Sequence, residues 1–267
     1  MAKESKQEAK DIEDRARLRA PMIYEVVCQE GRAEMERPVV SLFWSGLGAG
    51  LSLSFSLLAQ AILYHHLPDT PWRPLITDLG YTVGFLIVIL GRQQLFTENT
   101  ITVVLPLLAE FNRRNLFLTA RIWGVVLAAN ILGTACAAAF CTYSPALTEE
   151  VRHAMLDLSA QGLSHDFWEM LFRGISAGFV IAALVWIIPS AEGTEVHVIL
   201  IMTYLISLGG FAHIVAGNVE GIMLVLNGQW DWLHLLTHFE IPVLIGNSIG
   251  GTALFAVLSY AQVMEEM

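Results

Sequence analysis

The architecture of this chain follows from residues 91–100, which run Gly91-Arg92-Gln93-Gln94-Leu95-Phe96-Thr97-Glu98-Asn99-Thr100. Apolar segments flank this polar stretch at residues 79–90 and 101–108. Each flank is too short to cross the ~30 Å hydrocarbon core of a bilayer alone, whereas the two together are long enough. Polar, glycine-containing backbone at membrane depth is tolerated only where it is buried in protein or lines a cavity. The pattern therefore predicts a transmembrane span that is broken near its middle.

A second polar interruption has the same character. It separates apolar residues 198–208 from a short apolar piece at residues 219–226, and it runs Gly209-Gly210-Phe211-Ala212-His213-Ile214-Val215-Ala216-Gly217-Asn218. Residues 65–78 contain three prolines and are expected to form a loop. Uninterrupted apolar runs predict full spans at residues 42–63, 116–140, 167–188 and 241–260. We predict an all-α polytopic membrane protein with six transmembrane helices, of which the second and fifth are broken.

Composition supports a membrane protein and argues against other classes. Hydrophobic residues make up 55% of the 267 residues and charged residues 15%, against about 25% charged in soluble domains. The net charge of -10, without a basic stripe beyond the N-terminus, argues against a nucleic-acid partner. No HExxH motif occurs, and the two GxSxG matches, residues 174–178 and 246–250, lie inside predicted transmembrane spans and so form no nucleophile elbow. We therefore do not expect an enzyme. We expect no cofactor and no bound metal.

The two halves of the chain resemble each other. Residues 43–50 match residues 171–178, residues 129–134 match residues 246–251, and the two interruptions fall in corresponding spans. Three spans per half is an odd number, so the copies must point in opposite directions, as a 3+3 inverted repeat whose broken helices mark a transport route. Chance recurrence of small-residue packing motifs is the alternative. The matched glycines would allow close helix packing, and they are Gly46, Gly50, Gly174 and Gly178.

The distribution of Lys and Arg predicts the orientation. Residues 1–40 hold eight of the fifteen Lys and Arg residues and are expected to form a cytoplasmic amphipathic tail. Cytoplasmic segments would carry eleven basic residues and the outer loops two, which places both termini in the cytoplasm. We expect the chain to lie in the inner membrane. We therefore divide the chain into this tail, a channel domain at residues 41–262 and a cytoplasmic C-terminal tail at residues 263–267.

The second half of the N-terminal tail has apolar residues at helical spacing. We expect it to lie along the membrane or on a neighbouring subunit. These apolar residues are Met22, Ile23, Val26 and Val27.

The interruptions contain the candidate functional residues. His213 is an ionisable residue at membrane depth, which indicates function by default, and histidine titrates near physiological pH, so it can exchange a proton with a weak acid in transit. The alternative is a histidine that only packs helices and bonds a carbonyl. Thr97 could bond His213 across a pore, although Thr in membrane helices also serves as simple helix contact. Glu98 would discourage anions unless it were protonated or paired with Arg92 or Arg173.

These motifs are similar to those of the formate/nitrite transporter family. Residues 95–99 match its Leu-Phe-Thr core, residues 210–218 match its Gly-Phe-Glu-His segment with the following Ala-Asn, and residues 245–251 match its Ile-Gly-Asn-x-x-Gly-Gly motif. The resemblance covers about residues 20–262. Its departures are Ala212 before the histidine, Gly178 where members place Asn, Arg173 as the nearest match to an outer lysine, and Glu98 in place of Gly or Ser.

The resemblance implies an aquaporin-like protomer, a homopentamer with one pore per subunit, and passage of small monovalent anions or their acids. It makes His213 the central pore residue facing Thr97. The residues assigned to the apolar constrictions of this path are Tyr81, Phe85, Leu95 and Ile206. The other residues assigned to the path are Phe96, Glu98, Asn99, Phe211 and Asn218.

The combined prediction is a pH-dependent channel for a small monovalent weak-acid anion, a monocarboxylate or an inorganic ion, that moves with protons. One alternative is a channel for a small neutral or cationic solute on the same scaffold, with Glu98 contributing to selectivity. Another is a non-conducting membrane sensor.

Overall fold

The computed structural model describes residues 18–266, so residues 1–17 of the predicted tail and residue 267 lie outside the described chain. In the described part there are ten helices and no strand. They are α1 Ala20–Glu36, α2 Val39–His66, α3 Arg73–Leu90, α4 Phe96–Ala109, α5 Arg113–Tyr143, α6 Glu149–Gly162, α7 Phe167–Ser190, α8 Glu195–Leu208, α9 Ile214–Leu226 and α10 Trp232–Val263.

Five of the helices between residues 18 and 266 are long and apolar enough to cross a membrane, namely α2, α3, α5, α7 and α10, whereas α4, α8 and α9 are shorter apolar helices. The four predicted full spans lie inside α2, α5, α7 and α10. Both predicted breaks are confirmed, because α3 ends at Leu90 before α4 begins at Phe96, and α8 ends at Leu208 before α9 begins at Ile214.

The predicted loop at residues 65–78 is too long. α3 already begins at Arg73, with Pro74 in its first turn, where the missing N–H and the fixed φ of proline are compatible with a helix. As a result α3 has 18 residues and could span a membrane by itself. The expectation that each flank of the first break is too short to cross alone is therefore wrong for this helix.

The helices α3 and α8 end in the same way. The amide of Gln93 bonds the carbonyl of Val88, and the amide of Phe211 bonds the carbonyl of Ile206. Each bond reaches five residues back along the chain, which is the 6→1 hydrogen bond of a Schellman cap. The residue before each of these amides has a positive φ, 52° at Arg92 and 60° at Gly210. Glycine adopts this conformation freely, whereas at Arg92 a side chain makes it unfavourable.

Glycines bring the full-length helices into backbone contact. A Cβ atom at Gly50 would lie 2.9 Å from the Cα of Gly133, so α2 and α5 touch there. In the second half, a Cβ at Gly174 would lie 3.2 Å from the Cα of Gly246, where α7 meets α10. The predicted close packing at the matched glycines is thereby confirmed.

Helix α1 packs on its own chain. Its buried residues contact Ile101 and Leu105 of α4 and Ala256 of α10, and burial raises the pKa of one of them, the Cys28 thiol. Of the four residues in the predicted apolar stripe only Val27 is buried, and Met22 and Val26 stay exposed. The expectation that this segment lies along the membrane or on a neighbouring subunit therefore stays a prediction. The buried residues are Tyr24, Val27, Cys28, Gly31 and Met35.

An amphipathic helix that the sequence analysis did not anticipate, α6, follows α5. The Thr148 side chain accepts a hydrogen bond from the amide of Val151 and caps its first turn. Its apolar face, with Met155 fully buried, packs on α2 and α9. It therefore covers one end of the helix bundle beside the second break.

Candidate functional site

The start of α4 is fixed by one amide side chain. The Phe96 amide donates to Oδ1 of Asn130 in α5 at 2.9 Å. Nδ2 of the same Asn130 donates to the carbonyls of Gly46 at 2.8 Å and Gln94 at 2.9 Å. Asn130 is fully buried, so three polar backbone groups at the first break depend on it.

The start of α9 is fixed by the same arrangement. The Ile214 amide donates to Oδ1 of Asn247 in α10 at 2.8 Å, and Nδ2 of Asn247 donates to the carbonyls of Gly174 at 2.8 Å and Ala212 at 2.9 Å. The same three hydrogen bonds therefore occur at matched positions in both halves. This recurrence agrees with the predicted pairing of residues 129–134 with residues 246–251, while the inverted orientation of the halves stays a prediction.

Between these two anchored helix starts, His213 and Thr97 meet. Nε2 of His213 lies 2.7 Å from Oγ1 of Thr97, and Nδ1 accepts a hydrogen bond from the amide of Ala216 at 3.2 Å. Because a nitrogen that accepts carries no proton, this hydrogen-bond network places the ring proton on Nε2, which donates to Thr97. The Thr97 hydroxyl hydrogen can then point to a further acceptor. Both side chains are buried.

Two aromatic rings pack in a row beside the ring of His213. The ring of Phe85 meets that of His213 edge-on, with centroids 5.1 Å apart, and Tyr81 lies 5.2 Å beyond Phe85. Leu95 and Ile206 are completely buried. A hydrated ion would have to lose its water at such a surface, which costs several kcal/mol or more for a bare charge.

A cavity of about 440 Å³, which we name the outer cavity after the predicted orientation of the chain, is lined by His213. Three other predicted path residues line it, namely Tyr81, Ile206 and Phe211. It also contains Glu220, to which the sequence analysis assigned no role.

An inner cavity of about 360 Å³ lies on the other side. Glu98 and Asn99, both predicted path residues, line it. Thr97 precedes Glu98 in the chain and bonds the His213 ring, so the Thr97–His213 hydrogen bond links a residue that lines one cavity to the neighbour of a residue that lines the other. Phe85 and Leu95 line neither cavity.

The cavities show how the broken spans run. Asp78 of α3 lines the outer cavity and Leu90 at the end of α3 lines the inner one. In the same way, Glu195 of α8 lines the inner cavity and Ser207 the outer one. Each of these helices therefore covers the distance between the cavities by itself, about 20 Å for the fourteen residues of α8. The chain then turns back, so that α4 and α9 begin between the cavities.

Two predicted path residues have contacts elsewhere. The Phe96 ring packs against Trp123 of α5 with centroids 5.5 Å apart. Nδ2 of Asn218 donates to Oγ1 of Thr134 at 2.8 Å and joins α9 to α5. Neither residue lines a cavity, so both support the helices that carry Thr97 and His213.

Glu98 pairs with neither of the partners considered for it. Arg92 forms an ion pair with Glu30 at 2.9 Å, and Nη1 of Arg173 donates to the carbonyl of Gly210 at 2.7 Å. Among residues 18–266, Oε1 of Glu98 is buried and has no hydrogen-bond partner. Its carboxyl group thus faces the inner cavity without a compensating cation.

Glu220 is the functional candidate that the sequence analysis missed. It lies seven residues after His213 on α9, two helical turns further, and so on the same face. The sequence pattern predicts only a short apolar piece at residues 219–226, after the second break. The signal was nevertheless present, since a carboxyl group within a transmembrane segment is itself an indication of function.

Comparisons with known proteins agree with this architecture. A model of the formate/nitrite transporter family matches residues 21–261. The chain is 44% identical over 267 residues to the inner membrane protein YfdC of Escherichia coli, covering 99% of this chain and 86% of that protein. It is 25% identical to the formate channel BtFdhC of Bacillus thuringiensis, covering 90% and 93%. A solved pentameric formate channel with formate bound has the same fold, with a TM-score of 0.72 at 18% identity over 85% of this chain and 98% of that one.

Proposed function

Because the chain belongs to the formate/nitrite transporter family, we propose that each protomer is a channel for a small monovalent weak-acid anion such as formate. The main supporting observation is the Thr97–His213 hydrogen bond of 2.7 Å. It joins the two broken spans at the point that separates the outer cavity from the inner one. The solute would pass from one cavity to the other beside this pair.

The residues around Thr97 and His213 suggest how the channel selects its solute. Phe85 and Leu95 offer no polar group to replace the water lost by an ion, so the bare anion meets a high barrier. The Nε2–H of His213 donates to Thr97, which leaves the hydroxyl hydrogen of Thr97 free to donate to the solute. A neutral acid, or an anion that gains a proton in transit, crosses most easily, and uptake should rise as the outer pH falls.

Flux measurements on His213→Phe test the proposal. Purified protein in liposomes should take up formate, nitrite, acetate or hydrosulfide, with uptake that increases at lower outer pH. The variant should lose this pH-dependent uptake, at least about tenfold, because it removes the Nε2–H donor and leaves Thr97 without its partner. Unchanged flux of all four solutes in the variant would contradict the role of His213.

A second candidate function is a channel for a small neutral or cationic solute. It is favoured by the unpaired Glu98 and by three further carboxylates on the inner cavity, Glu30, Glu34 and Glu195. Comparing anion flux in the wild type and in Glu98→Gly separates the two candidates. A large gain of anion flux in the variant would favour the second one.

We further propose that the chain acts as a homopentamer in the inner membrane, with both termini in the cytoplasm. The pentamer is supported by the fold shared with the pentameric formate channel. The orientation is supported by the excess of Lys and Arg in residues 1–40. The contact of Tyr24 in α1 with Tyr260 in α10, 6.0 Å between ring centroids, is in accord with termini on one side. The inner cavity would then face the cytoplasm.

A further inference from the structure

One carboxyl group lies in each cavity next to the Thr97–His213 partition. Glu98 is in the first turn of α4 and lines the inner cavity. Glu220 is on α9, two turns from His213, and lines the outer cavity. A solute that reaches the partition from either side must pass one of these two groups.

Neither carboxyl group is neutralised by a cation. Among the described residues, the ion pairs include neither Glu98 nor Glu220. Arg92, the basic residue of the inner cavity, is held by Glu30 at 2.9 Å. In the outer cavity, Arg73 pairs with Asp69 at 3.3 Å and Arg173 bonds the Gly210 carbonyl. A carboxylate that is confined in this way, without a cation, readily takes up a proton in place of its charge.

None of the other ionisable groups in the two cavities takes over this uptake of a proton from Glu98 or Glu220. Those that share the inner cavity with Glu98 are Glu30 and Glu34 of α1, Arg92, and Glu195 of α8. Besides the Asp69–Arg73 pair, those that share the outer cavity with Glu220 are Tyr64, Asp78, Tyr81, His165, Arg173 and His213. Asp78 is occupied, because Oδ1 accepts from Nε2 of Gln60 at 3.1 Å and from Oγ of Ser207 at 2.9 Å.

The hydrogen bonds of His213 make the ring a poor source of the proton. Its Nδ1 accepts from the Ala216 amide and its Nε2 donates to Thr97. A second proton on the ring would face the N–H of Ala216 and break the cap of α9. The ring can therefore orient the Thr97 hydroxyl toward the solute while a different group supplies the proton.

We propose that Glu220 and Glu98 are the proton-exchange groups of the channel, one for each cavity; this rests on the proposed function. In the outer cavity the O–H bond of the Glu220 carboxyl breaks and an O–H bond forms on the anion, which becomes a neutral acid and leaves a carboxylate behind. The acid crosses beside Thr97 and His213. In the inner cavity it returns its proton to the Glu98 carboxylate and leaves as the anion. Water on the outer side then returns a proton to Glu220, and water on the inner side removes the proton from Glu98. One proton therefore crosses with each anion.

The variants Glu98→Gln and Glu220→Gln test this role. Each keeps the shape and polarity of the side chain but can neither give nor take a proton. Formate influx into liposomes should be measured together with the internal pH, using a trapped dye, over a range of outer pH. We expect each variant to lose formate influx and the accompanying acidification about tenfold or more. Glu192→Gln, an exposed carboxylate that lines neither cavity, should behave as the wild type.

The sign of the effect distinguishes proton exchange from simple charge repulsion. If the two carboxylates only repelled anions, their removal would raise anion influx, and a gain would overturn the inference. Unchanged influx and an unchanged pH profile would overturn it as well. Glu98→Asp and Glu220→Asp keep a carboxyl group and should retain coupled influx, which excludes a folding defect as the cause of the loss. A wild type without any weak-acid flux would instead contradict the proposed function itself.

Discussion

At the scale of single residues, two asparagines form hydrogen bonds with polar backbone groups at the two breaks. Asn130 and Asn247 are both fully buried, and each satisfies one amide and two carbonyls of the backbone. Backbone groups in a membrane protein cannot turn to water instead, so an unpaired group costs more there than at a surface.

We expect Asn130→Ala and Asn247→Ala to destabilise the protein by about 3 kcal/mol or more, because each leaves several buried backbone groups unpaired. Thermal unfolding of the purified protein in detergent measures this as a clear drop of the midpoint. Asn227→Ala is the control, since Asn227 is exposed and its side chain bonds only the Met223 carbonyl. Equal midpoints for Asn130→Ala and the control would contradict the anchoring role.

The sequence was sufficient to predict the pairing of Thr97 with His213, because each is a polar residue in an interrupted apolar segment. It also placed Asn130 and Asn247 at equivalent positions. It could not assign their bonds, since the carbonyl of Gly46 lies 84 residues from Asn130 along the chain. Only the packing of α2 against α5 brings these groups together.

At the scale of the helices, glycines set the distance between neighbours. A Cβ atom at Gly50 would overlap the Asn130 carbonyl oxygen, and one at Gly178 would lie 2.7 Å from the Cα of Asn247. These glycine contacts therefore place α2 directly against the backbone of Asn130 and α7 directly against the backbone of Asn247.

We predict that Gly50→Ala and Gly178→Ala each cost about 1–3 kcal/mol, as overpacking does in a dense core, and also reduce flux. Gly124→Ala in α5 is the matched control. A Cβ there meets nothing within 4 Å, and alanine favours a helix by about 1 kcal/mol over glycine. Thermal midpoints of the three variants decide the matter, and a stable Gly50→Ala protein with normal flux would count against close packing as a requirement.

The limits of helix prediction have physical causes. Three prolines made residues 65–78 look like a loop, but Pro74 is compatible with the first turn of α3. The face that α1 buries on its own chain was not predicted, because Tyr24 and Cys28, which are buried, are less apolar than the exposed Met22 and Val26. In both cases tertiary contacts outweighed the local pattern.

At the scale of the whole molecule, the resemblance inferred from three short motifs is confirmed by the family match over residues 21–261. The motifs were sufficient because they lie at the breaks and at the anchoring asparagine of α10. The homopentamer stays a proposal, because the contacts between protomers are not part of a single chain.

The proposed pentamer predicts the mass of the purified protein. Native mass spectrometry in detergent should give five copies of the 29.5 kDa chain. A monomer, or a dimer at every concentration, would contradict it. Labelling of single cysteines placed near each terminus should succeed from the cytoplasmic face of membrane vesicles and fail from the opposite face.

The two asparagine anchors also restrict how the channel could change shape. The starts of α4 and α9 are held to α5 and α10 and cannot swing independently of those long helices. The short connections before them, residues 91–95 and 209–213, contain the left-handed residues Arg92 and Gly210. A widening of the passage would therefore either bend the connections at the residues that the asparagines do not bond, 91–93 and 209–211, or move α5 and α10 together with the starts of α4 and α9.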